Sequence, residues 1–338
     1  MKYIGHENDA NNLSSTTGVL LINLGTPDRP VCPSLRRYLS EFLMDPRVIE
    51  LPTPARALLV KGIIINVRSH KSAAAYREVW TEQGSPLLTH SLDLADKVQG
   101  LLGPKYLVKV AMRYGNPSVA SVVQELFNQG VRNLIVIPMY PQYSGSTNGS
   151  TFDALADALK QHRWVPSLRF VSDYYLHPGY VKALAQSVTD YWAEHGKGEK
   201  LVMSFHGVPK KYITKGDPYR AQCEWTAQAL ASELKLSEDD WMLVFQSRLG
   251  AQEWLKPYCD ETLEQLPAQG VKSVDMICPG FSVDCLETIE EIDGENRALF
   301  LAAGGEHYQY IPCLNHQNNH AQLYADLVTS PQPSAPQS

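Results

Sequence analysis

No stretch of this chain approaches the roughly 20 apolar residues that span a bilayer. The nearest, Ala57 to Val67, is too short and is interrupted by Lys61. It reads either as a buried helix or turn, or as an apolar lip that touches membrane or a greasy ligand. A secretory signal is also missing. Met1 to Thr17 carries both charge signs and no apolar run before a cleavage site, so it reads as a flexible leader. Basic residues are not in excess: 30 Lys and Arg stand against 36 Asp and Glu, for a formal charge of -6. With no long basic run, generic nucleic-acid binding is excluded, though a local basic patch for an acidic ligand is not. The six cysteines, at 32, 223, 259, 278, 285 and 313, form no C-x-x-C pair. A 338-residue chain needs no covalent staples, so they read as reduced cytosolic thiols. There is no P-loop lysine, no G-x-G-x-x-G after the first strand, no nucleophile elbow and no H-E-x-x-H. ATP, dinucleotide, serine-hydrolase and zinc-protease readings fall away with them.

What remains is an alternation of short apolar runs and longer amphipathic stretches. Strands are predicted at Gly18–Asn23, Leu107–Met112, Asn133–Pro138 and Leu168–Val171, then at Lys200–Ser204, Trp241–Phe245, Ser273–Cys278 and His307–Ile311. Helical patterns lie between them, such as Pro117–Asn128, Pro178–His195 and Glu253–Leu266. This order at this spacing predicts α/β architecture with parallel sheets covered by helices. The halves also repeat. Met112-Arg113-Tyr114-Gly115, a helix, Gly130-Val131 and a strand ending in Pro138 parallel Ser247-Arg248-Leu249-Gly250, a helix, Gly270-Val271 and a strand ending in Cys278-Pro279. Laying Gly25 on Gly207 sets Leu24 against His206. Two such halves predict a cleft, greasy on one side and holding a base on the other, where strand ends meet ligand.

His206 follows an apolar run and precedes Gly207 and Pro209. A neutral imidazole there can accept a proton or ligate a borderline metal; it can equally cap a turn. After Cys278-Pro279-Gly280, a helix is expected from about Asp284. Glu287 then either reaches back in a capping box or heads a ladder with Glu291 and Glu295, one helical turn apart. Such a ladder suits cations or protons, or is simply a solvated face softened by Arg297. Tyr140 to Ser150 is rich in hydroxyls and glycine, and its backbone N–H groups could hold an anion. Arg113 and Arg248 could grip acidic groups, and Trp254 and Phe281 could form flat walls.

In order along the chain, Leu20-Leu21-Ile22-Asn23-Leu24-Gly25-Thr26-Pro27, Gly84-Ser85-Pro86-Leu87, Tyr140-Pro141-Gln142-Tyr143-Ser144, Ser204-Phe205-His206-Gly207-Val208-Pro209, Phe245-Gln246-Ser247-Arg248-Leu249-Gly250 and Gly280-Phe281-Ser282-Val283-Asp284-Cys285-Leu286-Glu287-Thr288 closely resemble the ferrochelatase family. The resemblance runs from about Gly18 to Leu327. It implies the class II chelatase fold: two Rossmann-like domains without nucleotide and a porphyrin in the cleft between them. The expected division is a leader at 1–17, a first domain at 18–175 with a mobile apolar lip at about 40–70, a second domain at 176–315, a final helix at 316–328 packing back on the first domain, and a frayed tail at 329–338.

The same resemblance implies insertion of Fe2+ into protoporphyrin IX with release of two protons, the last step of haem synthesis. His206 and Glu287 are the implied catalytic and metal-handling pair, and Glu291 and Glu295 the implied proton or metal path. Leu24, Ser85, Arg113, Tyr143, Ser144, Trp254 and Phe281 are the implied porphyrin contacts. Iron is a substrate, and no prosthetic group is expected. Animal members have histidine where Cys285 stands and a C-terminal cysteine cluster; with only Cys313 near its end, this chain is expected to lack a [2Fe–2S] centre. The expected location is cytoplasmic, with peripheral contact at the inner membrane or with other haem-pathway enzymes left open, and no nucleic-acid partner. The competing readings are a coproporphyrin or cobalt chelatase of the same fold, a non-catalytic porphyrin or haem carrier, and a two-lobed anion-binding protein.

Overall fold

The computed structural model describes residues 3–5, 15–248, 250 and 252–330. Most of the expected leader and all but two residues of the expected tail lie outside the described residues. The chain divides into two compact units. The first holds Met1–Met139, Gly145–Asp173 and Ala321–Ser338; the second holds Tyr140–Ser144 and Tyr174–His320.

The first unit is built on β1 (Thr17–Thr26), β2 (Tyr106–Gly115), β3 (Asn133–Pro138) and β4 (Ser167–Phe170), a parallel sheet in the order β2-β1-β3-β4. The second is built on β5 (Lys200–His206), β6 (Trp241–Gln246), β7 (Ser273–Ile277) and β8 (His307–Tyr310), in the order β6-β5-β7-β8. The two orders are the same, which is the sequence repeat made three-dimensional. A parallel sheet needs crossover helices and is covered on both faces, so its central strands are apolar without alternation. Val19, Leu20, Leu21 and Ile22 of β1 are all buried, as are Leu201, Val202, Met203 and Phe205 of β5. In the second unit Val202, Val244, Val274 and Met276 share a core with Cys259, Leu263 and Phe300 from the crossovers.

Three expectations are corrected by local chemistry. The helix expected at Glu253–Leu266 forms only over Cys259–Gln265. Residues ahead of it pair with the exit of β5, through Lys210 N–H to the Glu253 carbonyl and Leu255 N–H to the Val208 carbonyl, each 3.0 Å. Backbone groups used in that ladder cannot also serve a helix, and Pro257 offers no donor. The helix expected from Pro117 begins at Val119, because Ser118 caps it by accepting from Ser121 N–H. The leader is not wholly detached: Ile4 donates to the Gln161 carbonyl and its own carbonyl accepts from Arg163 N–H.

The 57–67 segment divides between its two readings. It runs from a short helix, Thr53–Ala57, through a π-helical stretch, Leu58–Ile64, into Ile65–Val79. Val60 and Ile65 pack with Leu43, whereas Leu58 and Val67 are 73% and 71% exposed. Along these widened turns the Asn66 amide bonds the carbonyls of Lys61 and Gly62.

At Gly25, β1 lies tight against Tyr114 of β2. Its φ is +114°, and a Cβ there would lie 1.8 Å from the Tyr114 carbonyl oxygen. Gly103 also has a positive φ, +68°, but opens onto free space. Thermal unfolding of single Ala variants should separate the two. Gly103→Ala is expected to cost about 1 kcal/mol from backbone conformation alone, and Gly25→Ala roughly 2–4 kcal/mol because strand and conformation are both violated.

Candidate active site

The second unit brings His206, Glu287 and Glu291 into one electrostatic neighbourhood. His206 is the last residue of β5, paired in register with Gln246 of β6. Its Nδ1 lies 2.6 Å from the Gly207 carbonyl oxygen. A carbonyl can only accept, so Nδ1 carries the proton and Nε2 is left with the lone pair. Turning this tightly requires glycine at 207. A Cβ there would meet the carbonyl oxygens of Gln246 and Ser247 at 2.9 Å and Cε3 of Trp254 at 3.3 Å. The Phe281 ring stands 6.5 Å from the imidazole, centre to centre.

The acids arrive on a helix of unexpected kind. The segment Glu287–Asn296 is π-helical, with i→i+5 bonding, and runs into the α-helix Arg297–Ala302. Its wide turns are held by donors from packed strands: Gln246 Nε2 bonds the Glu287 carbonyl at 3.0 Å, and the Tyr308 hydroxyl bonds that of Ile292 at 2.5 Å. The capping-box reading fails. Asp284 accepts instead from the Tyr310 hydroxyl, Thr288 Oγ1, Asn315 Nδ2 and Cys313 N–H, tying the start of the helix to the chain after β8.

Glu287 and Glu291 are half-buried, while Glu295 is exposed. Burial pushes the Glu291 carboxyl up. Ser247 bonds and a charged His206 pull it down, and the Glu287 charge pushes it up again, leaving it above the ordinary range. Burial, then the neighbouring Glu287 charge, also drives the Cys285 thiol well above its usual range. Cys285 is therefore a neutral neighbour of Glu287 near pH 7.

The other candidates are mostly engaged within their own unit. Tyr143 N–H donates to Gln222 Oε1 and Ser144 Oγ to Asp217, so these groups are tied to the second unit's own side chains. Trp254 sits in the short ladder beside Pro209. In the first unit Leu24 is half-buried, and Ser85, buried ahead of the helix Pro86–Leu102, accepts from Thr26 Oγ1 at 2.8 Å. Both arginines considered as grips for acidic ligands hold carboxylates of the chain itself. Arg248 pairs with Asp260 and Glu261, and lies over the Tyr258 ring. Arg113 Nη2 lies 2.5 Å from Asp45, whose side chain is 3% exposed.

Asp45 is a residue the sequence reading missed. It sits at the base of the apolar segment and also accepts from Ser150 Oγ and the Tyr114 hydroxyl. Burial pushes its carboxyl up, but the bonds from Ser150, Arg47 N–H and Tyr114, with the Arg113 charge, outweigh this and hold it below the ordinary range. Nothing in the local pattern around Asp45 signals the network. Ser247 was more findable: the repeat sets its hydroxyl against Met112, a polar residue where the first half has an apolar one.

Solved structures with this fold include SirB from Bacillus subtilis with Fe3+, at a TM-score of 0.58 and 10% identity, covering 93% of this chain and 94% of SirB. CbiX, the terminal enzyme of sirohaem biosynthesis in denitrifying bacteria, matches at a TM-score of 0.51 and 14% identity over 93% of this chain and all of CbiX. At such identities the likeness defines a class II chelatase fold and no more. Sequence goes further. The ferrochelatase family model matches residues 16–332. Ferrochelatases from Marinobacter nauticus and Alcanivorax borkumensis are 51% and 52% identical over 332 residues, covering 97% of this chain and 90% and 97% of theirs. The chain belongs to the ferrochelatase family, enzymes that insert ferrous iron into protoporphyrin to make haem.

The Asp45 network makes a pH-dependent prediction. A carboxyl lowered in the folded state contributes stability that is full above its unfolded pKa, near 4, and is lost as pH falls through the folded value. Asp45→Asn should therefore lower stability at pH 7 by about 3–5 kcal/mol, by leaving Arg113 without its counter-charge. Urea titrations at falling pH should show the gap to the parent protein narrowing below about pH 4.

Proposed function

We propose that His206 Nε2 accepts a pyrrole proton as Fe2+ enters the ring, with Glu287 sharing the metal and Glu291 passing protons onward. The observation carrying this reading is the bond from His206 Nδ1 to the Gly207 carbonyl, which leaves one defined basic nitrogen. A flat ring keeps its nitrogen lone pairs in its plane. Walls of fixed shape, such as Phe281 and Trp254, would hold it bent, using binding energy from the rest of the macrocycle; Leu24 and Ser85 are proposed as further porphyrin contacts. Arg113, Tyr143 and Ser144 act in this reading through the side chains they hold, and through the ring edge where they reach it. Glu295, exposed on the acidic helix, is proposed as the outer end of the proton or metal path.

Iron is substrate in this scheme. The reading without a resident iron–sulfur cluster is supported by the spacing of the six cysteines, at 32, 223, 259, 278, 285 and 313, which includes no C-x-x-C pair and no close run of four. No described helix is long and apolar enough to cross a membrane. Exposed Leu58, Ile63 and Val67 support peripheral contact with a lipid interface, beside Lys61 and Arg68. The cytoplasm is the proposed compartment.

Two sets of measurements test these roles. His206→Ala should remove most turnover, by about 10²-fold or more, while porphyrin still binds by fluorescence quenching; near-normal turnover would end the proton-acceptor role. Glu287→Gln should slow insertion more than Glu291→Gln, and equal, negligible losses would end the acidic path. Replacing Leu58, Ile63 and Val67 together by Ser should abolish co-sedimentation with anionic vesicles. Unchanged sedimentation would remove the lipid contact.

A further inference from the structure

The acidic helix does not choose its own rotational setting. It is docked at two points by consecutive residues at the end of β6. Gln246 is buried; it accepts from Ser204 Oγ of β5 at 2.9 Å and donates to the Glu287 carbonyl at 3.0 Å. One residue on, Ser247 donates twice to Glu291: its backbone N–H to Oε1 at 2.8 Å, and its hydroxyl to Oε2 at 2.5 Å. Each carboxylate oxygen takes one donor, so the plane of the carboxylate is set as well as its position.

This double donation needs an unusual backbone. Ser247 has φ +62°, in the left-handed region that residues with a side chain rarely adopt. Ordinary extended backbone would carry β6 onward with its N–H in plane for a sheet partner. The left-handed turn swings N–H and Oγ to the same side, toward the helix. Strain of this kind persists only where surroundings over-determine it. Here Arg248, next in sequence, is held by Asp260 and Glu261.

We infer that Ser247 is the positioning residue for Glu291, holding its carboxylate plane in the orientation that receives and returns a proton. The inference rests on the proposed proton-passing role of Glu291. Ser247 itself need not touch porphyrin or iron. Losing the hydroxyl frees the carboxylate to rotate without changing the apolar walls that bind the ring. The chemical step should therefore slow with ring affinity unchanged.

The test measures kcat and KM for protoporphyrin and Fe2+ in the full chain carrying Ser247→Ala, Ser247→Gly, Glu291→Gln and each Ser247 change combined with Glu291→Gln. Glycine keeps the N–H donor and adopts the left-handed backbone without strain, so that variant retains the fold; melting temperature checks it. Both single Ser247 variants should lose roughly tenfold in kcat with porphyrin KM unchanged. In the Glu291→Gln background they should lose nothing further, because the group they orient is already altered. If Glu291→Gln is impaired while Ser247→Gly keeps full kcat, or if the double variant multiplies the two losses, Ser247 does not act through Glu291. Full activity of Glu291→Gln would instead remove the role of Glu291, and this inference with it.

Discussion

A single short hydrogen bond, from His206 Nδ1 to the carbonyl of Gly207, decides what chemistry this unit can offer. It turns a symmetric-looking ring into one with a fixed donor and a fixed acceptor. The bond exists because the chain turns at once after β5, and it can turn only because residue 207 has no side chain to strike Gln246, Ser247 or Trp254. Upstream, the buried apolar run of β5 fixes where the strand ends. The geometry of this imidazole is inherited from the sheet.

The acidic helix obeys the same logic from the other direction. Carboxylates on a helix would ordinarily be set by helical periodicity alone. Here the turns are widened, and side chains from β6 and β8 take carbonyls at Glu287 and Ile292. A carbonyl oxygen has two lone pairs, so an outside donor can share it with the i→i+5 bond and steady a turn that is rare on its own. Half-burial then makes Glu291 feel Glu287 and the His206 imidazole, because a partly dry setting screens them less than water does.

In the first unit the charged groups are arranged to be held. Arg113 could have faced an acidic ligand; its guanidinium lies instead against a buried carboxylate at the base of the apolar segment. That pair, with Ser150 and Tyr114, joins β2, the helix Ser150–Leu159 and the chain leading to Leu58, so an exposed greasy surface grows from a firmly bonded root. A buried ion pair is weak evidence for stability as such, yet breaking it leaves a charge without a partner, which is why it constrains the segment.

The sequence alone determined the α/β class, the two equivalent sheets and the family. Those follow from apolar runs, glycine placement and a repeat whose spacing survives as strand order, all of which are local or periodic signals. It also marked His206, which closes a strand, and Glu287, which opens the acidic helix. Only the tertiary structure decided which imidazole nitrogen is free, that the acidic helix is π rather than α, that Glu295 is exposed while Glu291 is held, and that Asp45 takes Arg113. Each depends on a donor or acceptor from residues far along the chain, and one-dimensional pattern does not carry such a pairing. The helix expected at Glu253 failed for the same reason: its backbone found partners at Val208 and Lys210, more than forty residues earlier.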